Sequence, residues 1–170
     1  MLKSLIDNNP RVVNENIPFI VISNDSGTVV VGGSGNTACT VYTVVGGGQA
    51  NVVSGCYSFL GGGFENSATG RYGSLPGGRQ NTIGPSALYS TIKGGYNNTS
   101  INQYSSIVGT NNISCHDSTH ILGDSIITNR NGTTFINQLS IVNLPDGSAG
   151  LPSKAVYYCS TDSNRIYFVP

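Results

Sequence analysis

From Thr28 to Gly123 one unit of about 15 residues recurs, six times in full with the start of a seventh. A fixed period in this range marks a solenoid or array, and it limits the fold more than any other feature. Each copy opens with a small hydroxyl residue, an aliphatic pair and glycines, then passes an Asn and ends on a Tyr. Thr28-Val29-Val30-Val31-Gly32-Gly33 returns as Thr43-Val44-Val45-Gly46-Gly47-Gly48, as Ser58-Phe59-Leu60-Gly61-Gly62-Gly63 and, more loosely, as Ser90-Thr91-Ile92-Lys93-Gly94-Gly95. Aligned copies form columns. The unit-final column is Tyr42, Tyr57, Tyr72, Tyr89, Tyr104 and then Ser118. The third column is Val30, Val45, Leu60, Leu75, Ile92, Ile107 and Ile121. The fifth is Gly32, Gly47, Gly62, Gly77, Gly94, Gly109 and Gly123, and the ninth is Asn36, Asn51, Asn66, Asn81, Asn98 and Asn112. The unit containing Pro85 carries two extra residues, and the last full unit lacks one.

The columns predict an all-β fold: a parallel β-roll, or solenoid, with a C-terminal β cap. β-Branched and leucine side chains flanked by small residues suit short strands with one side chain turned inward. The glycines permit the positive φ of a corner. Asn tolerates the left-handed region and bonds nearby backbone, so the Asn column fits a second corner. Two strands and two turns make one coil. Stacked about 4.8 Å apart, the coils build a rod roughly 30 Å long with the tyrosines as a stripe along it.

Such a coil buries little. Its inward candidates are the third-column aliphatics and, in the eleventh column, Ala38, Val53, Ala68 and Ile83. Repeat units depend on neighbours to cover their apolar faces. Strand alternation points the second-column residues Val29, Val44 and Phe59 away from this core. They want a second surface, and another copy of the chain is the simplest source. The expectation is a homotrimer or another closed oligomer.

Three segments follow. Residues 1–27 form a lead-in: Asp7-Asn8-Asn9-Pro10 reads as a turn and Ile17 to Ile22 as a strand that caps the first coil or attaches the roll to a larger particle. Residues 28–124 are the roll. Residues 125–170 depart from the repeat, and Ala155 to Cys159 and Arg165 to Val169 read as a hairpin with a five-residue loop, Ser160 to Asn164. Aromatic residues and turn loops at the end of a rigid scaffold make Tyr157, Tyr167, Asp162 and Asn164 the candidate binding residues. Sealing the last coil is the alternative role for those aromatics.

Charge and motifs exclude several activities. Eight basic residues balance eight acidic ones and lie scattered, which argues against nucleic acid, whose phosphates need clustered Lys and Arg. Met1 to Arg11 holds no apolar run of signal-peptide length, so neither a leader nor membrane insertion is expected. Cys39, Cys56, Cys115 and Cys159 lack metal-ligand spacing. Cys39 and Cys56 fall on adjacent coils two columns apart, on the order of 8 Å between Cα atoms, beyond disulfide reach. His116-Asp117-Ser118 is not expected to converge as a triad does, since neighbours on a strand point to opposite sides. His116 and His120 could share a metal with Asp117 or with copies from other subunits, but the simpler reading is polar residues on an exposed coil, and no cofactor is assigned. The carboxylates of Glu65, Asp117, Asp124 and Asp146 lie far apart for a glycosidase pair within one chain. The glycine triplets lack the Lys-Ser/Thr of a phosphate loop. Sequons begin at Asn24, Asn97, Asn98, Asn112 and Asn131 and read as products of an Asn- and Ser-rich composition. The tyrosine stripe reads as a stacking element, with sugar binding as a second use of its faces.

The run Asn51 to Gly62 resembles the head repeats of trimeric autotransporter adhesins, whose scheme is Asn-x-Ala-x-Gly-x-x-Ser-x-Ala-x-Gly. Asn66-Ser67-Ala68-Thr69-Gly70-Arg71-Tyr72-Gly73-Ser74-Leu75-Pro76-Gly77 resembles it again, and Tyr104 to Gly109 resembles its second half. The resemblance implies a left-handed parallel roll, three chains to a head, and attachment to a host surface. Similar repeats occur in tail-fibre-like proteins of phages and other viruses. The adhesins' signal, stalk and membrane anchor have no counterpart here, which turns the expectation toward a virion surface rather than a bacterial one. The expected function is therefore a non-enzymatic trimeric fibre or head-fibre protein that attaches to a host glycan or receptor and joins a larger virion component through its N-terminus. A tailspike-type polysaccharide-degrading enzyme with a site between subunits is one alternative, and a purely structural decoration protein is another.

Overall fold

The computed structural model describes residues 27–137 in full, together with the backbone of 21–23, 156–159 and 165–168. It divides into two units, Met1–Asn137 and Gln138–Pro170. The first is a parallel β-solenoid. One sheet runs β1 (Val21–Ser23), β2 (Thr28–Val30), β4 (Val44–Val45), β6 (Phe59–Leu60), β8 (Ser74–Leu75), β10 (Thr91–Ile92), β12 (Ser106–Thr110), β14 (His120–Asp124) and β15 (Thr134–Ile136). The facing sheet holds β3 (Thr37–Ala38), β5 (Val52–Val53), β7 (Ser67–Ala68), β9 (Thr82–Ile83), β11 (Thr99–Ser100) and β13 (Ile113–Ser114). Each coil gives one strand to each sheet, and third-column residues pair in register: Val30 with Val45, Val45 with Leu60, Leu60 with Leu75.

Strand alternation sorts the side chains. Val45, Leu60, Leu75, Ile92, Ile107 and Ile121 are buried from one sheet, and Val53, Ala68 and Ile83 from the other. Ala87, within the insertion that follows Pro85, is also buried. The second-column residues face out, with Phe59 44% exposed. Further along, Ser100 and Ser114 replace the apolar residues of the eleventh column, and the core turns polar. Ser114 Oγ lies 2.7 Å from Ser105 Oγ and 2.6 Å from Thr119 Oγ1, so these buried hydroxyls satisfy one another.

The corners differ from the sequence reading. Asn is not the left-handed residue of its corner. The residue before it is: Ala50, Glu65, Gln80, Asn97 and Asn111 all have φ between 53° and 56°. The Asn side chain turns inward instead. Where a coil keeps its glycine pair, the tight packing belongs to the sixth column rather than the fifth. Gly63 has φ of 94°, and a Cβ there would sit 2.1 Å from the Gly78 carbonyl oxygen. A Cβ on Gly77 would meet nothing within 4 Å. In the coil that lacks a residue, Gly109 alone replaces the glycine pair, and β12 runs through the corner as a five-residue strand.

At the N-terminal end β1 pairs antiparallel with β2, Val21 opposite Val30, and covers its hydrogen-bonding edge. Residues 17–20 of the expected lead-in strand lie outside the described residues. At the other end the roll continues past Gly123. β15 stacks parallel on β14, His120 opposite Thr134 and Ile121 opposite Phe135. In the second unit, β16 (Val156–Cys159) and β17 (Arg165–Phe168) form an antiparallel hairpin with Tyr157 opposite Tyr167.

Candidate functional site

Two polar ladders hold the coils in register. In the Asn ladder, each Oδ1 accepts both the backbone N–H and the side-chain amide of the next Asn. Asn66 donates to Asn51 Oδ1 from its backbone at 3.0 Å and from Nδ2 at 3.2 Å. Its Nδ2 also reaches the carbonyls of Gly62 at 3.1 Å and Gly78 at 2.8 Å. The same pattern links Asn36 to Asn51, Asn66 to Asn81, Asn81 to Asn98 and Asn98 to Asn112. Residues Asn51 to Asn112 of this column are fully buried. Their function is structural: each closes its own glycine corner and ties it to the next coil. The second ladder is the column of hydroxyls that opens every unit except the one beginning at Gly73. Ser58 Oγ donates to the Gly70 carbonyl and accepts from the Gly73 N–H.

Beside the hydroxyl ladder stand the tyrosines. Tyr42, Tyr57, Tyr72, Tyr89 and Tyr104 all adopt φ between 54° and 59°. Left-handed backbone costs a residue with a side chain about 1–2 kcal/mol. The rings stack in an unbroken series with centroid separations of 5.1, 5.2, 4.6 and 5.4 Å. Stacked pairs add about 0.5–1.5 kcal/mol beyond the area they bury, which largely offsets the backbone cost. Arg71 lies over Tyr57 at 5.4 Å and Tyr72 at 4.8 Å. The left-handed role of these tyrosines was missed from sequence. The available signal was the column's other members, Gly27 (φ 60°), Ser118 (φ 54°) and Gly132 (φ 60°).

The opposite corner carries a second aromatic group. Phe64, Arg79 and Tyr96 occupy successive rungs of one bridged column, with the Arg79 guanidinium 5.4 Å from the Phe64 ring and 5.7 Å from that of Tyr96. One column over, Gln80 Nε2 donates to Glu65 Oε2 at 2.7 Å. Sequence reasoning did not find this cluster, because its column shares no residue type from coil to coil.

The groups considered for catalysis do not converge. His116, Asp117 and Ser118 lie in a turn rather than on a strand. His116 Nδ1 approaches Thr128 Oγ1 at 3.2 Å and Cys115 Sγ at 3.4 Å, whereas Asp117 accepts from Gln103 Nε2 at 3.4 Å. Glu65 is engaged by Gln80, and Asp124 bonds Thr110 and Ser125. Among the described residues no three His, Cys, Asp or Glu side chains gather as a metal site would require. Cys39, Cys56 and Cys115 are free. Of the sequons, Asn98 and Asn112 are committed to the buried ladder, while Asn97 and Asn131 are exposed. In the hairpin, Tyr157 and Tyr167 are backbone partners, and Asp162, Asn164 and Asp146 lie outside the described residues. Among the described residues no helix is long and apolar enough to cross a membrane.

Compared with family models and with curated proteins, the sequence matches none of either.

Proposed function

We propose that this chain is a non-enzymatic fibre or head-fibre protein of a virus or phage. It assembles as a homotrimer and attaches the particle to a glycan or receptor on the host surface. One observation carries the reading: apolar side chains on the outer face of the larger sheet, grouped over its first coils and recurring at Leu122 and Ile136. Val31 is 39% and Phe59 44% exposed, and Val29 and Val44 are half-buried beside them. Beyond Phe59 the column of Val29 and Val44 continues as Ser74, Thr91, Ser106 and His120, which are polar. A contiguous apolar patch with a polar boundary is the signature of an interaction surface. The thin core of each coil gives it a natural occupant, the same strip on sister chains, as in the three-chain heads of the adhesins that these repeats resemble. A parallel roll stitched by asparagine and tyrosine ladders suits a rigid extended module that holds loops away from a particle.

The test is retention of fluorescently labelled full-length protein on a panel of bacterial and animal cells, together with assay of extracted surface polysaccharide for new reducing ends. Binding without cleavage is the expected result. Cleavage would favour a tailspike-type enzyme with a site between subunits. Failure to bind any surface would favour a decoration protein.

A further inference from the structure

The tyrosine column ends in a step. On one side, Tyr42 packs over Gly27, where a Cβ would come within 2.8 Å of the ring. On the other side, the rung after Tyr104 is Ser118, whose N–H donates to the Gln103 carbonyl at 3.0 Å as the column continues. The rung after that is Gly132, whose N–H donates to the Asp117 carbonyl at 3.0 Å. A Cβ at Gly132 would meet nothing within 4 Å. Two successive rungs therefore present almost no side chain where five rungs presented rings. The step is about 10 Å tall at ordinary strand spacing. Its floor is the outer face of Tyr104, which stacks on Tyr89 and on no other ring among the described residues. Its flank is polar: the Asp117 carboxylate and the Gln103 amide, 3.4 Å apart, and Asn131, whose Oδ1 accepts from the Asp117 N–H at 3.1 Å.

We propose that this step is a saccharide-binding site, in which one pyranose ring of a neutral glycan lies on the face of Tyr104. The apolar C–H face of a sugar matches an aromatic ring at about 4 Å separation. Its hydroxyls then fall at the level of Ser118 and within the polar flank, where Asp117 accepts hydrogen bonds and the amides of Gln103 and Asn131 donate or accept. The carboxylate selects against uronic and sialic acids by like-charge repulsion. The inner tyrosines offer no such place, because both faces of each are covered by neighbouring rings. This assignment gives the attachment reading above a ligand class and a position, and it rests on that reading only for its biological role.

Substitution Ser118→Tyr tests it, because it extends the ring stack by one rung and fills the step. The full-length protein is titrated by saturation-transfer NMR and calorimetry with maltotriose, chitotriose and N-acetyllactosamine, with a trigalacturonate as the anionic comparison. At least one neutral saccharide binds the wild type more tightly than the trigalacturonate, and Ser118→Tyr weakens it about tenfold or more. Tyr104→Leu, which removes the floor, gives the same loss if the tyrosine extension perturbs folding. Arg79→Ala, on the opposite corner, leaves the affinity unchanged. No binding of any neutral saccharide, tighter binding of the trigalacturonate, or an unchanged affinity in folded Ser118→Tyr overturns the proposal. Cell retention separates the two readings: wild type and Ser118→Tyr retained equally removes the step and leaves attachment standing. Saccharide binding without cell retention does the reverse.

Discussion

Asn81 illustrates how much of this fold hangs on single side chains. It is fully buried, its Nδ2 donates to Gly95 O at 3.0 Å and to Asn66 Oδ1 at 3.1 Å, and its Oδ1 accepts from the Asn98 N–H. Replacing it with Asp keeps the shape but removes both donors and buries a carboxylate among carbonyl oxygens. Asn81→Asp should cost about 3 kcal/mol or more at neutral pH in chemical denaturation. Its folded-state carboxyl pKa is raised, so the penalty shrinks as the pH falls toward about 4. A variant as stable as wild type at neutral pH would contradict the ladder. The glycines give a sharper contrast. Gly63→Ala meets both a φ of 94° and the Gly78 carbonyl, and the backbone conformation alone costs about 1–3 kcal/mol. Gly77→Ala enters open space and should change stability by less than about 0.5 kcal/mol. Equal melting temperatures for the two variants would refute the assignment. From sequence the fifth column drew attention because it is unbroken. The sixth carries the close approach where the glycine pair is complete, and in the shorter coils that role passes to the fifth, at Gly109 and Gly123.

At the scale of the coil, the inward aliphatics were legible because strand alternation leaves one choice of face. Less legible was how far the roll extends. After Gly123 the marker residues change: Ile126 stands where Asn is expected and Gly132 where Tyr is. The register nevertheless persists, and the Ile126 N–H still donates to Asn112 Oδ1 at 2.9 Å. Backbone pairing needs only the right number of residues per coil, so it outlasts the side-chain signature by which the repeat was recognised. The polar segment of the core was equally hidden, since a Ser in the eleventh column looks like a surface residue. Ser114→Val, which brings a more apolar residue into the core, is therefore predicted to destabilise. It removes the hydroxyl that Ser105 and Thr119 share while each keeps a carbonyl acceptor, Asn102 and His116, at a cost of about 1 kcal/mol. Thermal melts against wild type check this, and a raised melting temperature would show that the hydroxyl cluster contributes nothing.

For the molecule as a whole, the account turns on the apolar strip over the first coils. The sequence pointed to Val29, Val44 and Phe59 as outward residues wanting a partner, and the roll places them on its outer face. The change from Tyr104 to Ser118 was visible in the sequence columns, whereas Gly132 as the next rung and the Phe64–Arg79–Tyr96 corner were not, because they depend on which residues stack across coils. Light scattering coupled to size exclusion addresses the central claim directly. The account predicts a species of three times the 17.7 kDa chain mass. Phe59→Asp, which places a charge within the strip but outside the core, should convert it to a monomer that keeps its far-UV spectrum. A wild-type chain that is folded, stable and monomeric would contradict the account.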